Sequence, residues 1–516
     1  MNRSILITLI LAAAALLLLT GLGNGRLWQD EAETAVLGRN TLQFGYPKVS
    51  DGVNRINPWV QSTTQKEAWS YHTWLSFYLT AASFACFGAG TGSARLPFAL
   101  LGWLTIWLFY RWVDRWHKDR SLAILCAALL TASVPFLLHM RQCRYYAPTV
   151  FFSVWTAWAY MRFLHQKRWA GLELFFSLLL LFHSNHGVFI PSVLVLALHG
   201  SFEPQIRRRW KSVAGIAAVL SVFTIPFFFL LKAGQHHAGF TALDYWHHAQ
   251  FYFRQINKYL LPVTIWIPLA FFFFKPTGEP PLKPGPDRSA IRFAALTIGI
   301  NLLFLMLVPT QRHFRYLVHL IPWILLFHAL LLRALYRRRR IAACLAVFLL
   351  IGTNWHYAIP SRILARFPQI THGPSSTEPL RIWAFDYLGE LTHAYRGPVD
   401  GIVEYFNREA KPGQTVKIPY EDNSLIFYTR MKVEKLYSVD EFVNETYPDW
   451  IVLRRDWIIP AFFSTAYFSR VESGYEKITL DAPDIPFQNR PDPGFHRFRT
   501  DRQAPPVILY RKKPPA

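Results

Sequence analysis

The stretch Ser4–Glu33, SILITLILAAAALLLLTGLGNGRLWQDEAE, decides the reading of the chain. Its apolar run, 4–22, has the length of a membrane crossing, which takes roughly 20 apolar residues. Just beyond it, within Leu27-Trp28-Gln29-Asp30-Glu31-Ala32-Glu33, stand two adjacent carboxylates, Asp30 and Glu31. Charges at a bilayer boundary are costly unless they have a task, so the pair points to chemistry there. Asn2-Arg3 ahead of an Ala/Leu core also fits a secretory leader. An uncleaved helix is the preferred reading, because no small-residue cleavage site separates the core from the acids and the topology needs this crossing.

The rest of the chain agrees with a membrane setting. Over 516 residues, 52% are hydrophobic and 16% aromatic, more than an ordinary soluble domain carries. The formal net charge is +23. Its lysines and arginines stand between apolar runs, where they set topology and attract anionic membrane lipids, which argues against nucleic acid as a partner. Cys86, Cys126 and Cys344 lie inside apolar segments and only Cys143 in a loop, so no disulfide framework is expected.

Crossings are expected near 4–22, 95–112, 121–138, 148–164, 170–184, 186–200, 213–231, 259–274, 290–308, 316–335 and 341–357, about eleven in all. Basic clusters at Arg111–Arg120, His165–Arg168, Arg207–Lys211, Lys275–Arg288 and Arg337–Arg340 are separated by a hairpin's worth of apolar sequence. The positive-inside rule puts all five in the cytoplasm. A crossing at 73–88 would invert every later cluster, so that short apolar segment is expected to lie in the interface. The N-terminus is then cytoplasmic, and loop 23–94 and everything after about 358 lie outside. The segments 170–184 and 186–200 are short for spans, which suggests a tilted or buried hairpin with His183–Gly187 at its outward tip.

After Pro360 the sequence becomes charged and Pro-punctuated. Gly397–Ala410 and Asn423–Thr429 read as helices, and Thr415–Pro419 and Trp450–Arg454 as strands, giving a small extracytoplasmic α/β domain. The expected division is a membrane module over 1–357 and a soluble domain over 358–516. A Pro-rich cytoplasmic loop occupies 276–286, and no internal repeat is evident.

The order of these pieces resembles the GT-C superfamily of membrane glycosyltransferases. The first helix, Asp30-Glu31, the interfacial helix and Ser93-Ala94-Arg95-Leu96-Pro97 carry the likeness. So do Arg141-Gln142-Cys143-Arg144-Tyr145-Tyr146-Ala147, Arg312-His313-Phe314-Arg315-Tyr316-Leu317, and the later pieces Ala410–Val416 and Pro448–Val452. Within the superfamily the chain is most similar to the protein O-mannosyltransferase and aminoarabinose-transferase branch, the dolichyl-phosphate-mannose-protein mannosyltransferase-like proteins. The resemblance implies transfer of a sugar from a polyprenyl-phosphate donor to a hydroxyl of a glycan, lipid or protein acceptor. It places the reaction on the outer face of a bacterial inner membrane, with the C-terminal domain periplasmic, and implies inversion at the anomeric carbon.

That reaction assigns roles. An attacking hydroxyl needs a carboxylate within hydrogen-bond reach, and Asp30 fits. Glu31 would orient Asp30, bind the acceptor or pair with an arginine. A departing lipid phosphate is stabilised by guanidinium groups, which Arg95, Arg141, Arg144, Arg312 and Arg315 can supply, with Tyr316 adding a hydroxyl. The bland alternative for each is anchoring at the headgroup level. Arginines recurring in three outer loops favour a shared phosphate site, because positive charge is disfavoured there as a topology signal. Glu67, in Lys66-Glu67-Ala68-Trp69, resembles a sugar or acceptor contact of the aminoarabinose branch, and His72 of the same loop is grouped with it.

The pairs His236-His237, His247-His248 and His183/His186 lack zinc-site spacing. The loop His139–Ala147 contains no acid, a departure from the cation-dependent oligosaccharyltransferase relatives, so no metal or other cofactor is expected. The aromatic stretch Phe240–Tyr259 reads as a helix that either covers a lipid groove or forms an aromatic belt. Asp422-Asn423-Ser424 reads as a helix cap. Two rival readings are a lipid-carrier flippase or transporter and a non-catalytic envelope-assembly protein. A transporter places ionisable groups near the bilayer midplane, and acids within the expected spans are almost absent.

Overall fold

The computed structural model describes residues 2–56, 67–231, 241–273, 288–308, 311–364, 379–393, 395–435, 447–455, 466–487 and 489–514. The expected Pro-rich loop 276–286 and the pair His236-His237 lie outside them. The helices are α1 (Arg3–Leu19), α2 (Gln29–Phe44), α3 (Leu75–Phe87), α4 (Thr91–Trp116), α5 (Arg120–Ala132), α6 (Val134–Met140), α7 (Tyr146–Leu164), α8 (Ala170–Ser184), α9 (His186–Ser201), α10 (Pro204–Arg208), α11 (Trp210–Leu230), α12 (Ala242–Tyr259), α13 (Val263–Phe273) and α14 (Arg288–Leu307). A 3-10 turn over Phe314–Leu320 feeds α15 (Ile321–Arg338), followed by α16 (Arg340–Val347), α17 (Trp355–Leu364), α18 (Trp383–Thr392), α19 (Pro398–Glu409), α20 (Asp422–Tyr428) and α21 (Ala466–Gly474).

Two compact units divide the chain: Met1–Thr20 with Phe98–Leu388, and Gly21–Pro97 with Gly389–Ala516. This differs from the division at 357/358 suggested by composition. The segment 21–97 is built into the same unit as the C-terminal residues, and the chain from 358 to 388 belongs with the helical bundle. Composition reports local polarity, whereas long-range hydrogen bonds decide which segments share a core.

The first unit is a helical bundle. Among the described residues, four helical stretches are long and apolar enough to cross a membrane: α4, α11, α14 and Phe314–Arg338. A fifth is obtained if α5 and α6, bent by 68°, count as one broken span. The bend falls at Ser133, which adopts an extended backbone, with Pro135 at the start of α6. Proline has no N–H for the preceding turn and its ring clashes there, so the expected continuous 121–138 span breaks. The expected 341–357 span is interrupted too, by a π turn at Phe348–Gly352 and an extended Thr353. Other expected crossings fall on shorter apolar helices, among them α1, α8 and α9. The protein is a polytopic helical membrane protein.

The second unit combines α2, α3 and the first turns of α4 with a five-stranded mixed sheet. The strands are β1 (Thr415–Ile418), β2 (Lys432–Lys435), β3 (Trp450–Leu453), β4 (Tyr475–Pro483) and β5 (Pro506–Lys512), in the order β2-β1-β3-β5-β4. β1 pairs in parallel with β2 and β3, and β5 runs antiparallel between β3 and β4. Val416, Ile418, Ile451, Val452, Val507 and Leu509 are buried along the central strands. At the β2 edge, Asn54 donates to Met431 O at 3.0 Å and accepts from Val433 N at 2.8 Å. Its side chain thereby satisfies edge groups that no further strand covers among the described residues.

Two local devices fix the approach of α2, α3 and α4. A Cβ added at Gly38 on α2 would lie 2.7 Å from Thr80 on α3, so only glycine permits that separation without a shift. Pro97 cannot donate to Ser93 O one turn earlier, and Ser83 Oγ donates to that carbonyl instead, at 2.6 Å.

Candidate active site

Asp30 and Glu31 occupy the first turn of α2, where the helix N-terminus favours negative charge. Their environments differ sharply. Glu31 is fully buried, and Arg95 of α4 grips it through two parallel bonds, Nε to Oε1 at 2.8 Å and Nη2 to Oε2 at 2.7 Å. Arg95 Nη1 also donates to the carbonyls of Leu22, Asn24 and Gly25 at 3.1, 2.9 and 3.2 Å, and Nη2 reaches Arg26 O at 3.5 Å. Every guanidinium nitrogen is thus engaged by protein. The expectation of Arg95 as a phosphate ligand gives way to a clamp, because a buried carboxylate demands a counter-charge.

Asp30 is half-buried rather than sealed in. Its neighbours are held by residues from the C-terminal part of the same unit. Gln29 Nε2 donates to Asp422 Oδ1 at 2.7 Å and Ser424 Oγ to Leu27 O at 2.9 Å. Leu27 N donates to Tyr428 Oη at 3.0 Å, and that hydroxyl also bonds Thr91 Oγ1 at 2.7 Å. Arg26 N donates to Asp400 Oδ1 at 3.2 Å and Asn489 Nδ2 to Arg26 O at 2.7 Å. Asp422 and Ser424, expected as helix-capping residues, spend their side chains on this strap. The residue that actually precedes α20 is Glu421, in the left-handed region at φ +71°.

Tyr420 adjoins Asp30 electrostatically: burial raises its phenol well above the usual tyrosine value, and the charges of Asp30 and Glu421 add to the shift. Burial also pushes the Glu421 carboxyl up to about 7, against the pull of Arg454. Arg454 holds Glu421 together with Asp484 Oδ1, at 2.6 Å, and Ile485 O, at 2.7 Å. Sequence reading missed this buried group because its members are separated by dozens of residues. The only local signal was the acidic turn Glu421-Asp422 itself.

Glu67 sits in the left-handed region at φ +55° and pairs with Arg55 at 2.7 Å and Lys48 at 4.0 Å. The His72 ring lies 4.5 Å from Tyr71 and 6.1 Å from Trp69. The structure therefore places both in a basic and aromatic part of the 46–74 segment.

In the helical unit, two separate motifs converge. Tyr145, between α6 and α7, feels the charges of Arg144 and Arg315 and lies near Tyr316; burial is the main cause of its raised phenol. The Arg144 guanidinium lies 5.5 Å from the Tyr145 ring centre and that of Arg315 5.6 Å from Tyr316. His139 bridges the two motifs, 5.2 Å from Tyr146 and 5.5 Å from Phe314. Arg141 behaves differently. Its Nη1 donates to Leu17 O, Leu18 O and Thr20 O at 2.9, 3.2 and 2.7 Å, tying down the carbonyl end of α1. Arg312 is exposed and interacts electrostatically with Asp244 at the start of α12. Among the described residues, no three His, Cys, Asp or Glu side chains converge to hold a metal ion.

Residues 71–228 match the sequence model of the family described as dolichyl-phosphate-mannose-protein mannosyltransferase. No curated protein sequence matches the chain. Two crystal structures of ArnT from Cupriavidus metallidurans resemble it along nearly its whole length. The apo form has 16% identity and a TM-score of 0.60, and the form bound to undecaprenyl phosphate has 15% identity and a TM-score of 0.58. Each comparison covers 98% of this chain and 97% of the ArnT chain. A membrane bundle and a mixed α/β sheet unit in one chain, aligned over that length with ArnT, identify the fold of this chain as that of ArnT.

Proposed function

We propose that the protein is a glycosyltransferase that moves a sugar from a polyprenyl-phosphate donor to an acceptor hydroxyl, with Asp30 as general base. The observation that carries the assignment is the division of labour in the first turn of α2. Glu31 is buried and neutralised by Arg95, while Asp30 keeps a half-exposed carboxylate on a backbone braced from several directions. Asp30 accepts the acceptor's proton as its oxygen bonds to the anomeric carbon, and the bond from that carbon to the phosphate oxygen breaks, inverting the centre. Arg144 and Arg315, with Tyr316, stabilise the charge on the departing phosphate, and Arg312 adds positive charge at the surface. Glu31, Arg95 and Arg141 act by positioning backbone. Glu67 and His72 contact the sugar or acceptor.

The ArnT structure with undecaprenyl phosphate supports a lipid-phosphate carrier through its shared fold. The positive-inside pattern supports about eleven crossings, counting short and broken helices, in a bacterial inner membrane. It also supports a cytoplasmic N-terminus and a periplasmic sheet unit. The test is release of polyprenyl phosphate from a labelled polyprenyl-phosphate sugar. Asp30→Asn should abolish release while donor binding and thermal stability persist; near-normal turnover by that variant would remove Asp30 from the mechanism.

A further inference from the structure

One cavity in the helical unit has no part in the proposed reaction. It is lined by Arg3 of α1, by Arg111, Asp114, Arg115 and Trp116 at the end of α4, by Lys118 and Arg120 of the following turn, and by His165 and Lys167 between α7 and α8. It is an open depression with a volume of about 810 Å³, comparable with that of small-ligand pockets. Six Lys and Arg side chains from three separated segments face one space with a single carboxylate, Asp114.

Ordinary surface lysines and arginines on a cytoplasmic loop spread into solvent. Here six of them, five exposed, line one open depression, and neutralisation from within the protein is slight. Among the described residues, Arg3, Arg111, Arg115, Lys118 and Lys167 form no ion pair, and Asp114 pairs with none of them. The nearby acids Asp119 and Glu173 are committed to Arg333 and Arg162. Like charges gathered in a concavity repel one another unless an anion enters.

The walls are also organised. Trp116 stacks on His165 at 4.7 Å between ring centres, and Arg115 lies 5.7 Å from the Trp116 ring. Both rim turns hold non-glycine residues in the left-handed region: Lys118 at φ +50°, and Gln166 and Trp169 at +53° and +64°. Such strained turns persist only where the surroundings determine them.

We propose that this cavity binds the phosphodiester headgroup of an anionic membrane lipid. A phosphate anion matches these guanidinium and ammonium groups. A lipid supplies it because the rim is an interfacial one. Trp107 and Trp169 are exposed beside the cavity, in the manner of side chains at headgroup level. From Trp169, the exposed apolar side chains Leu172 and Phe176 continue along one face of α8, a path for an acyl chain. Basic pockets at the cytoplasmic ends of membrane helices recognise anionic headgroups by this chemistry.

Native mass spectrometry of the detergent-purified full chain tests the assignment, with phosphatidylglycerol, phosphatidylcholine and inorganic phosphate as separate probes. Phosphatidylglycerol should be retained and phosphatidylcholine lost. The triple variant Arg111→Ala/Arg115→Ala/Lys118→Ala should weaken phosphatidylglycerol binding by on the order of a hundredfold, near fivefold per cation. Charge-preserving Arg111→Lys/Arg115→Lys should retain binding, and Asp114→Asn should tighten it, so an effect of misfolding is separated from loss of charge. Equal binding of the two lipids, or unchanged binding by the triple variant, would overturn the proposal. Displacement of the lipid by millimolar inorganic phosphate would overturn the lipid assignment and leave a soluble anion as the ligand.

Discussion

Replacing Arg95 by methionine separates a structural clamp from a phosphate ligand. The substitution preserves much of the side-chain bulk and removes the guanidinium bonded through two nitrogens to Glu31, which has no solvent exposure. Breaking a buried ion pair from one side costs about 3–5 kcal/mol, since the remaining carboxylate loses its bidentate counter-charge away from water. The carbonyls of Leu22, Asn24, Gly25 and Arg26 lose a donor at the same time, adding to that cost. Glu31→Met should cost less than the full amount, because Arg95 retains those carbonyls. The double variant should recover a large part of the Arg95→Met loss, since replacing both members of a buried pair by apolar residues is often close to neutral. Unfolding midpoints in detergent give the cycle, and donor KM is measured in parallel. If Arg95→Met leaves stability unchanged and raises only the donor KM, the clamp argument fails and Arg95 returns to the phosphate site.

Three further outcomes follow from the geometry. Arg144→Ala or Arg315→Ala should raise the donor KM about tenfold or more, the worth of one hydrogen bond to a charged group, as measured by initial rates on the folded variants. Gly38→Ala drives a methyl group to 2.7 Å from both Cβ and Cγ2 of Thr80 and should destabilise the sheet-containing unit by about 1–3 kcal/mol, with Thr80→Gly, which removes both atoms, relieving the clash more than Thr80→Ala, which keeps Cβ; thermal unfolding checks all three. Glu421, ordinarily near 4.5 and about 7 when folded, keeps a proton that the unfolded chain has already released between those values. Stability should therefore fall as pH rises from about 4.5 to about 7, and Glu421→Gln should flatten that slope in melting curves.

Helix identity was readable where apolar runs were uninterrupted, as in α8 and α9, whose ends nearly coincide with the expected 170–184 and 186–200. Continuity was less readable: Ser133 and Pro135 break one apolar run, and Thr353 another, without altering its hydropathy. α2 escaped notice altogether. It buries Glu31, Asn40 and Thr41 as well as Ala32, Ala35 and Val36, so its core face has no clean apolar period. The adjacency of Asp30 and Glu31 was visible in the sequence; their inequality was not. Glu31's partner lies 64 residues away, and the strap over Leu27 and Gln29 comes from nearly 400 residues further on. Pairings at that distance are fixed by the folded chain and leave no local periodicity to read.

The sheet order carries a consequence for the timing of biogenesis. β5, formed by Pro506–Lys512, is an interior strand, flanked by β3 and β4. As the chain is synthesised, α2 emerges early, yet its bracing residues Asp422, Ser424 and Tyr428 arrive late, and the sheet beside them closes only with β5. The turn bearing Asp30 is thus left unfinished through most of translation. A chain cut short before Pro506 would keep the described helices of the first unit, yet lack the strand that lies between β3 and β4. Completion of the site thus waits on synthesis of β5.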